Sequence, residues 1–414
     1  MSINWQKIRE EEYPWLASGE KVFLDAACVG IAPQRIAKAI KTFADYTTRN
    51  DEPSSGLHHL GLDTQRQKAY EEAAKLLNAD VDEIALVENT SHGLNVAATS
   101  IPVGEGDNIV TTDCEFIQVA LPWCAVYKKK GFEIREVKRE DCQFQVEDFA
   151  AVCDERTRAI VISSVEWSTG WKMDLKPIGE FCKEHNIFLV VDMVQQFGNM
   201  KIDTKECHVD FLASGCHKWL NSPYGTGVLY INKETQKKVD PAYWGYNNTT
   251  KPTGKVSRWE NPAAKAVADW EFIRYGRLFE TGGTSNYPGA IALGETLGLI
   301  NELGIENIES RIKEIVAYLK KGWTDLGGTV ISDYAPENTS AIFIGRLYQD
   351  LDTERMIMNK LLERNIFISL RFTNWHGGFR VSCHYFNNEA DIDTLLSAIR
   401  ELIVEIGRAP DFQK

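Results

Sequence analysis

The chain has 414 residues, of which 43% are hydrophobic, 25% charged and 10% aromatic, enough apolar content to bury a large core, and its 30 Gly and 13 Pro exclude collagen-like and low-complexity classes. The 46 Lys+Arg against 59 Asp+Glu leave a formal net charge of −13, which repels phosphate backbones and anionic lipid, so neither nucleic acid nor a membrane is an expected partner. No apolar run approaches the roughly 18 residues of a membrane-spanning helix, and the N-terminal MSINWQKIREEEYPW carries no readable secretory signal, so the expected location is cytoplasmic.

Apolar runs of strand length alternate with amphipathic stretches of helix length through most of the chain. That is the pattern of a parallel sheet covered by helices on both faces, so the expected fold class is α/β. The predicted strands are 84–88, 108–112, 159–164, 187–192 and 211–214, each short, aliphatic or β-branched and bounded by turn residues. The gaps between them leave room for the crossover helices that parallel pairing needs. At 282–289 the chain becomes rich in Gly, Ser and Pro (GGTSNYPG), and a long helical pattern begins at Ala290 and runs past Ile300. This predicts a domain junction, with a large domain over 20–285 and a smaller α+β domain over 286–414 joined by residues 1–19. The smaller domain contains a strand at 340–344 and a last helix at 389–406. Nine cysteines, an odd number with no CxxC pair, predict reduced, mostly buried thiols rather than a disulfide framework or a zinc site, and no metal is expected.

The most informative stretch is residues 186–231, in which one buried-type strand ends in Asp192 and a second ends just before Lys218. In an open α/β sheet the carboxyl ends of the strands form the ligand crevice, so this acid and this lysine are placed to act on one bound molecule. A lysine in a partly dry crevice has its ammonium disfavoured, which frees the amine to attack a carbonyl and form a Schiff base. A carboxylate facing a pyridine nitrogen holds that nitrogen protonated and strengthens the ring as an electron sink. Pyridoxal 5'-phosphate needs both groups.

The Asp-x-x-Gln of Asp192 to Gln195, followed by Ser-Gly-Cys-His-Lys at 214–218, resembles the cofactor-binding core of the class V, fold-type I pyridoxal-phosphate enzymes, the aminotransferase and cysteine desulfurase group. The resemblance runs from FLDAACVGIAP at 23–33 to FRVSCHYFNNEADID at 379–393. It implies the fold-type I transferase fold, with a mostly parallel seven-stranded sheet in the large domain. It also implies that Lys218 carries the Schiff base, Asp192 pairs with the pyridine nitrogen, Gln195 bonds the phenolic oxygen and His217 approaches the phosphate. ENTSHGLN at 88–95 matches the family's strand-to-helix turn, in which Thr90 and Ser91 meet the phosphate at a helix N-terminus; simple N-capping is the alternative role for this pair. Phe116, in DCEFIQVALPW, stands where the family stacks a residue on the cofactor ring, with a plain core role as the alternative. VEWSTG at 165–170 resembles the loop that touches the cofactor's oxygen, which points to Ser168, although Trp167 takes the aligned position. Arg380 in FRVS matches the arginine that grips the substrate's α-carboxylate, and Arg371 in SLRFTN serves either a second acidic group or a surface ion pair. FETGGTSN at 279–286 resembles the loop that crosses to the neighbouring subunit, with Thr284 on the neighbour's phosphate, which implies a homodimer.

Desulfurases of this family carry a nucleophilic cysteine shortly before the carboxylate-binding arginine, whereas residues 368–380 read ISLRFTNWHGGFR and contain none. Desulfuration through a persulfide is therefore disfavoured. The two ends of the chain look most like the branch with isopenicillin N epimerase-like proteins and ergothioneine-pathway C–S lyases. The expected function is thus a pyridoxal-phosphate-dependent C–S lyase acting on a cysteine derivative, with Lys218 as general base. An aminotransferase or epimerase is the alternative within the family, and a non-catalytic binding protein of the same fold is the alternative outside it.

Overall fold

Seven strands form the central sheet of the computed structural model, which describes residues 3–250 and 260–413. They are β1 (Ile84–Val87), β2 (Asn108–Thr112), β3 (Glu133–Val137), β4 (Thr157–Ser163), β5 (Phe188–Asp192), β6 (Phe211–Gly215) and β7 (Gly227–Ile231). Side by side they run β1-β7-β6-β5-β4-β2-β3. β7 pairs antiparallel with both neighbours and all other pairs are parallel, which is the mostly parallel α/β sheet expected from the sequence. Residues alternate between two apolar layers with the period of a strand: along β4, Ala159 and Val161 enter one layer and Ile160 and Ile162 the other.

Helices cover both faces. α1 (Ser55–Leu77) and α4 (Leu175–His185) contribute Tyr70, Leu77, Ile178 and Cys182 to the first core, while α2 (Thr90–Ser100) and α3 (Ile117–Lys130) contribute Leu94, Ala97, Val119 and Trp123 to the second. α2 begins where Asn89 caps it, its Oδ1 accepting the His92 N–H at 2.9 Å. α3 stops at Gly131, whose φ of 75° is the left-handed turn that glycine takes without a Cβ penalty. Beyond α5 (Tyr287–Leu303) come α6 (Ile305–Asp325), α7 (Leu351–Glu363) and α8 (Glu389–Ile406). These lie with an antiparallel sheet of β8 (Thr329–Val330), β9 (Ile342–Arg346), β10 (Ser369–Thr373) and β11 (His376–Ser382), ordered β10-β11-β9-β8. The N-terminal helix Trp5–Glu12 docks on this unit through Arg9, whose buried guanidinium meets Asp391 at 2.6 Å.

One sequence-based expectation, that on the cysteines, changes, and the domain junction is proposed at another point. The junction expected at 286 precedes α5, yet α5 packs along α1 and the helix Gln34–Thr47, so we propose that the junction falls at Gly304, where φ is 78°. The cysteines are not all reduced: Cys114 and Cys142 form a disulfide, and the other seven are free. Spacing could not reveal this pair, because β2 and β3 run parallel and bring the ends of separate loops together. A ring nitrogen of His376 lies with the two sulfurs inside a 4.8 Å cluster. Among the described residues no helix is long and apolar enough to cross a membrane.

Candidate active site

β5 ends in Asp192 and the adjacent β6 runs through Gly215 into the turn that carries His217 and Lys218. Parallel pairing of these strands, with Asp192 opposite Ala213, puts both charged residues at the carboxyl edge of the sheet. They line one cavity of about 320 Å³ together with Thr90, Ser91, Phe116 and Gln195. Its wall away from the sheet is made by Ala27, Cys28, Trp167, Arg371 and Arg380.

Burial dominates the electrostatics. Desolvation lowers the Lys218 amine from 10.5 to about 8 against the pull of Asp192. Its Nζ stands 5.9 Å from the Phe116 ring centroid. Desolvation likewise raises Asp192 to about 6, opposed by the Val194 N–H that donates to Oδ1 at 2.9 Å and by the charge of Lys218. Oδ2 accepts no hydrogen bond from the described residues. Burial, then the charge of Lys218, pushes His217 down to about 4, so it is neutral at pH 7 and stacks on Tyr224.

The helix N-terminus also reaches the cavity. Asn89, rather than Thr90 or Ser91, supplies the cap of α2, so capping does not explain the Thr-Ser pair. Thr90 Oγ1 accepts the Gly215 N–H at 2.7 Å, tying α2 to the end of β6, and its own proton is left for a ligand. Gln195 is pinned at both ends of its amide, donating to Ala27 O at 3.1 Å and accepting from Trp219 Nε1 at 2.9 Å, with one N–H left over. Phe116 meets Trp167 edge to face, with centroids 5.3 Å apart, and the Trp167 Nε1 is buried without a partner. Arg380 is buried on β11; Nε, Nη1 and Nη2 lie 3.3 Å from Ser369 Oγ, Trp167 O and Asp25 Oδ1 respectively.

Two expected residues are elsewhere. Ser168 is not among the residues lining the cavity: its hydroxyl and backbone N–H both donate to Glu166 Oε2, at 2.9 and 2.8 Å, and close a buried turn. Thr284 lies in a separate recess with Glu88 and Gly225 and touches Tyr246 Oη at 3.1 Å. Sequence reasoning passed over two acids beside the site, Glu166 buried and Glu115 half-buried. Glu115 accepts from Ser163 N and Oγ at 2.8 and 2.5 Å, and burial raises it to about 8; burial raises Glu166 to about 7. Each directly precedes a cavity residue, Phe116 or Trp167, and an acid embedded in such a motif is the signal that was available.

The hairpin of β10 and β11 closes in two residues, Asn374 and Trp375, with φ of 43° and 69° between the paired Thr373 and His376. It carries no cysteine, and among the described residues Cys28 is the one cysteine lining the cavity. The donor set fits pyridoxal phosphate: a buried amine suits its aldehyde, a carboxylate with a free oxygen suits its ring nitrogen, and the first N–H groups of an 11-residue helix suit its phosphate.

The aminotransferase class-V family model matches residues 22–395. A probable cysteine desulfurase of Pyrococcus abyssi is 28% identical over 402 residues, covering 93% of this chain and 94% of that protein. An uncharacterized aminotransferase of Schizosaccharomyces pombe is 28% identical over 370 residues, covering 88% of each. Among solved structures, the cystine C–S lyase C-DES in complex with its reaction product cysteine persulfide superposes with a TM-score of 0.83 at 24% identity, covering 94% of this chain and 99% of that one; this is a likeness of fold.

Proposed function

The chain belongs to the aminotransferase class-V family, and from that premise we propose that it is a pyridoxal-phosphate-dependent C–S lyase acting on a cysteine derivative. The observation that carries this reading is the desolvated amine of Lys218, which forms no ion pair with the described residues and lines the cavity together with the Asp192 carboxylate. Relatives named cysteine desulfurase and a structural neighbour named as a cystine C–S lyase support a sulfur amino acid as substrate.

Bound here, pyridoxal phosphate supplies an aldehyde that takes an amine and a ring that draws off the electron pair left when the α-proton departs. Lys218, near 8, is uncharged in a useful fraction of molecules at neutral pH, so its Nζ can attack a carbonyl and later accept and return the α-proton. Asp192 is ionised above about 6 and would hold a proton on the ring nitrogen of a bound cofactor. Thr90, Ser91 and the first N–H groups of α2 receive the phosphate, and neutral His217 offers one further donor. The spare N–H of Gln195 would be available to the phenolic oxygen, Phe116 would supply an apolar contact for the ring, and Arg380 would receive the substrate's α-carboxylate. The recess at Thr284 serves the phosphate of a second subunit in a cytoplasmic homodimer. The short hairpin without cysteine favours release of the sulfur fragment over its capture by the protein.

Incubation of the loaded enzyme with a panel of amino acids, assaying pyruvate, sulfide and keto acids, tests the reading. Pyruvate with sulfide or thiol from a cysteine derivative is the expected result. Amino-group transfer without either product replaces the lyase by an aminotransferase, and inversion at the α-carbon alone replaces it by an epimerase. A protein that takes up no cofactor would be a binding protein of the same fold.

A further inference from the structure

Two guanidinium groups reach the cavity from one face of the β10–β11 hairpin. Ser369 pairs with Arg380 and Arg371 with Gly378, so Ser369, Arg371 and Arg380 project from the same side of the ribbon. Their surroundings differ. Arg380 is 3% exposed and already faces a carboxylate, since its Nη2 lies 3.3 Å from Asp25 Oδ1. Ser369 Oγ accepts its Nε at 3.3 Å and donates to the same Asp25 oxygen at 2.9 Å, which closes a triangle of three side chains. Arg371 is half-buried, donates from Nη1 to Leu370 O at 3.0 Å and forms no ion pair with the described residues. It is near enough for its charge to act on both Asp25 and Arg380.

An incoming α-carboxylate at Arg380 alone would meet a guanidinium whose charge Asp25 already balances, with the negative charge of Asp25 close behind. The attraction would be largely cancelled. Two guanidinium groups against one carboxylate leave the wall with a single excess positive charge, and that charge belongs to Arg371. We propose that Arg371 is the second arm of the carboxylate clamp and supplies its net attraction, while Asp25 is a resident carboxylate that weakens the hold of Arg380 on substrate. The proposal rests on the reading of the cavity as an amino-acid site and adds to it the residue that selects the free acid over its neutral derivatives. A fork of fixed donors suits that task, and a half-buried position keeps the charge effective while leaving a route for the ligand.

The test uses 3-mercaptopropanoate and its neutral amide 3-mercaptopropanamide, which lack an amino group and so bind without turnover, titrated calorimetrically into the cofactor-loaded protein. The unaltered chain should bind the acid about tenfold or more tighter than the amide, the scale of one charge-assisted contact. Arg371→Gln should bring that ratio to within about twofold of unity and Arg371→Lys should keep part of it. Asp25→Asn should raise the acid's affinity several-fold while the amide changes less. If Arg371→Gln keeps the wild-type ratio and Arg380→Gln abolishes it, Arg380 alone is the clamp and the proposal is wrong. Should Arg371→Gln not fold, Asp25→Asn decides alone, and no tightening of the acid overturns the proposal. In parallel, L-cysteine is assayed for pyruvate and sulfide. Absent products with the acid-over-amide ratio intact and dependent on Arg371 would refute the lyase reading and leave the clamp standing.

Discussion

Lys218 is held in a place that suits its chemistry and harms the fold, and the harm can be measured. Burial lowers its amine from 10.5 to about 8, and at about 1.36 kcal/mol per pH unit that difference is about 3.4 kcal/mol. At pH 7 the amine is fully protonated in the unfolded chain and about nine-tenths protonated in the folded one, so nearly all of this opposes folding. Lys218→Met removes the buried charge at similar volume, but it also removes the attraction that eases the burial of Asp192, itself raised to about 6. The variant without cofactor should therefore be more stable than the parent at pH 7, by less than that difference. The sign with pH follows from proton counting: between about 8 and 10.5 the unfolded parent binds more protons than the folded one, so the parent gains stability as pH rises and the gap narrows. Urea unfolding of the cofactor-free proteins at pH 7, 9 and 10.5 reads this directly. A variant no more stable than the parent at pH 7, or a gap unchanged up to pH 10.5, would refute the argument that the lysine is desolvated, and with it the account of its reactivity.

Gly30 donates its N–H to His217 O at 2.7 Å, and a Cβ there would lie 2.0 Å from Lys218 O. Gly30→Ala should therefore displace the lysine turn and lower the stability of the cofactor-free protein by at least about 2 kcal/mol; an unshifted urea midpoint would contradict the close approach. Thiol titration of denatured protein should find seven cysteines without reductant and nine after reduction. Opening the bond across its 28-residue separation should lower stability by about 3–4 kcal/mol, and nine thiols at the outset would show the pair reduced. Ser168→Ala should leave cofactor affinity within about twofold while removing a donor from buried Glu166, at a cost of about 1–3 kcal/mol in unfolding free energy. A large loss of cofactor affinity at unchanged stability would return Ser168 to the cofactor.

What could be read from the chain alone follows the physics of each segment. β2, β4, β5 and β6 are almost wholly buried and centre on short apolar runs such as Ala159–Ile162 and Leu189–Val191, and the charges that end β5 and shortly follow β6 stand out against them. β3 stays hidden because it is an edge strand, Glu133-Ile134-Arg135-Glu136-Val137, whose charges blunt its exposed side and mask its period. β7 is wholly buried but follows NSPYGTG, whose turn residues blur its start. Ser168 and Trp167 could not be separated by motif, since neighbours in a turn exchange inside and outside with one dihedral angle. The partnership of Asp25 with Arg380 joins positions 355 residues apart and has no local trace. The same holds for Cys114 and Cys142.

The tip of the β10–β11 hairpin has a consequence for what becomes of the sulfur. A ribbon closed by Asn374 and Trp375 alone has no slack with which to swing a side chain between an enclosed chamber and open water, and Trp375 at the tip already stands 93% exposed. On the lyase reading this ribbon offers no thiol to take up the sulfur fragment, which leaves Cys28 as the one cysteine of the described residues that faces it.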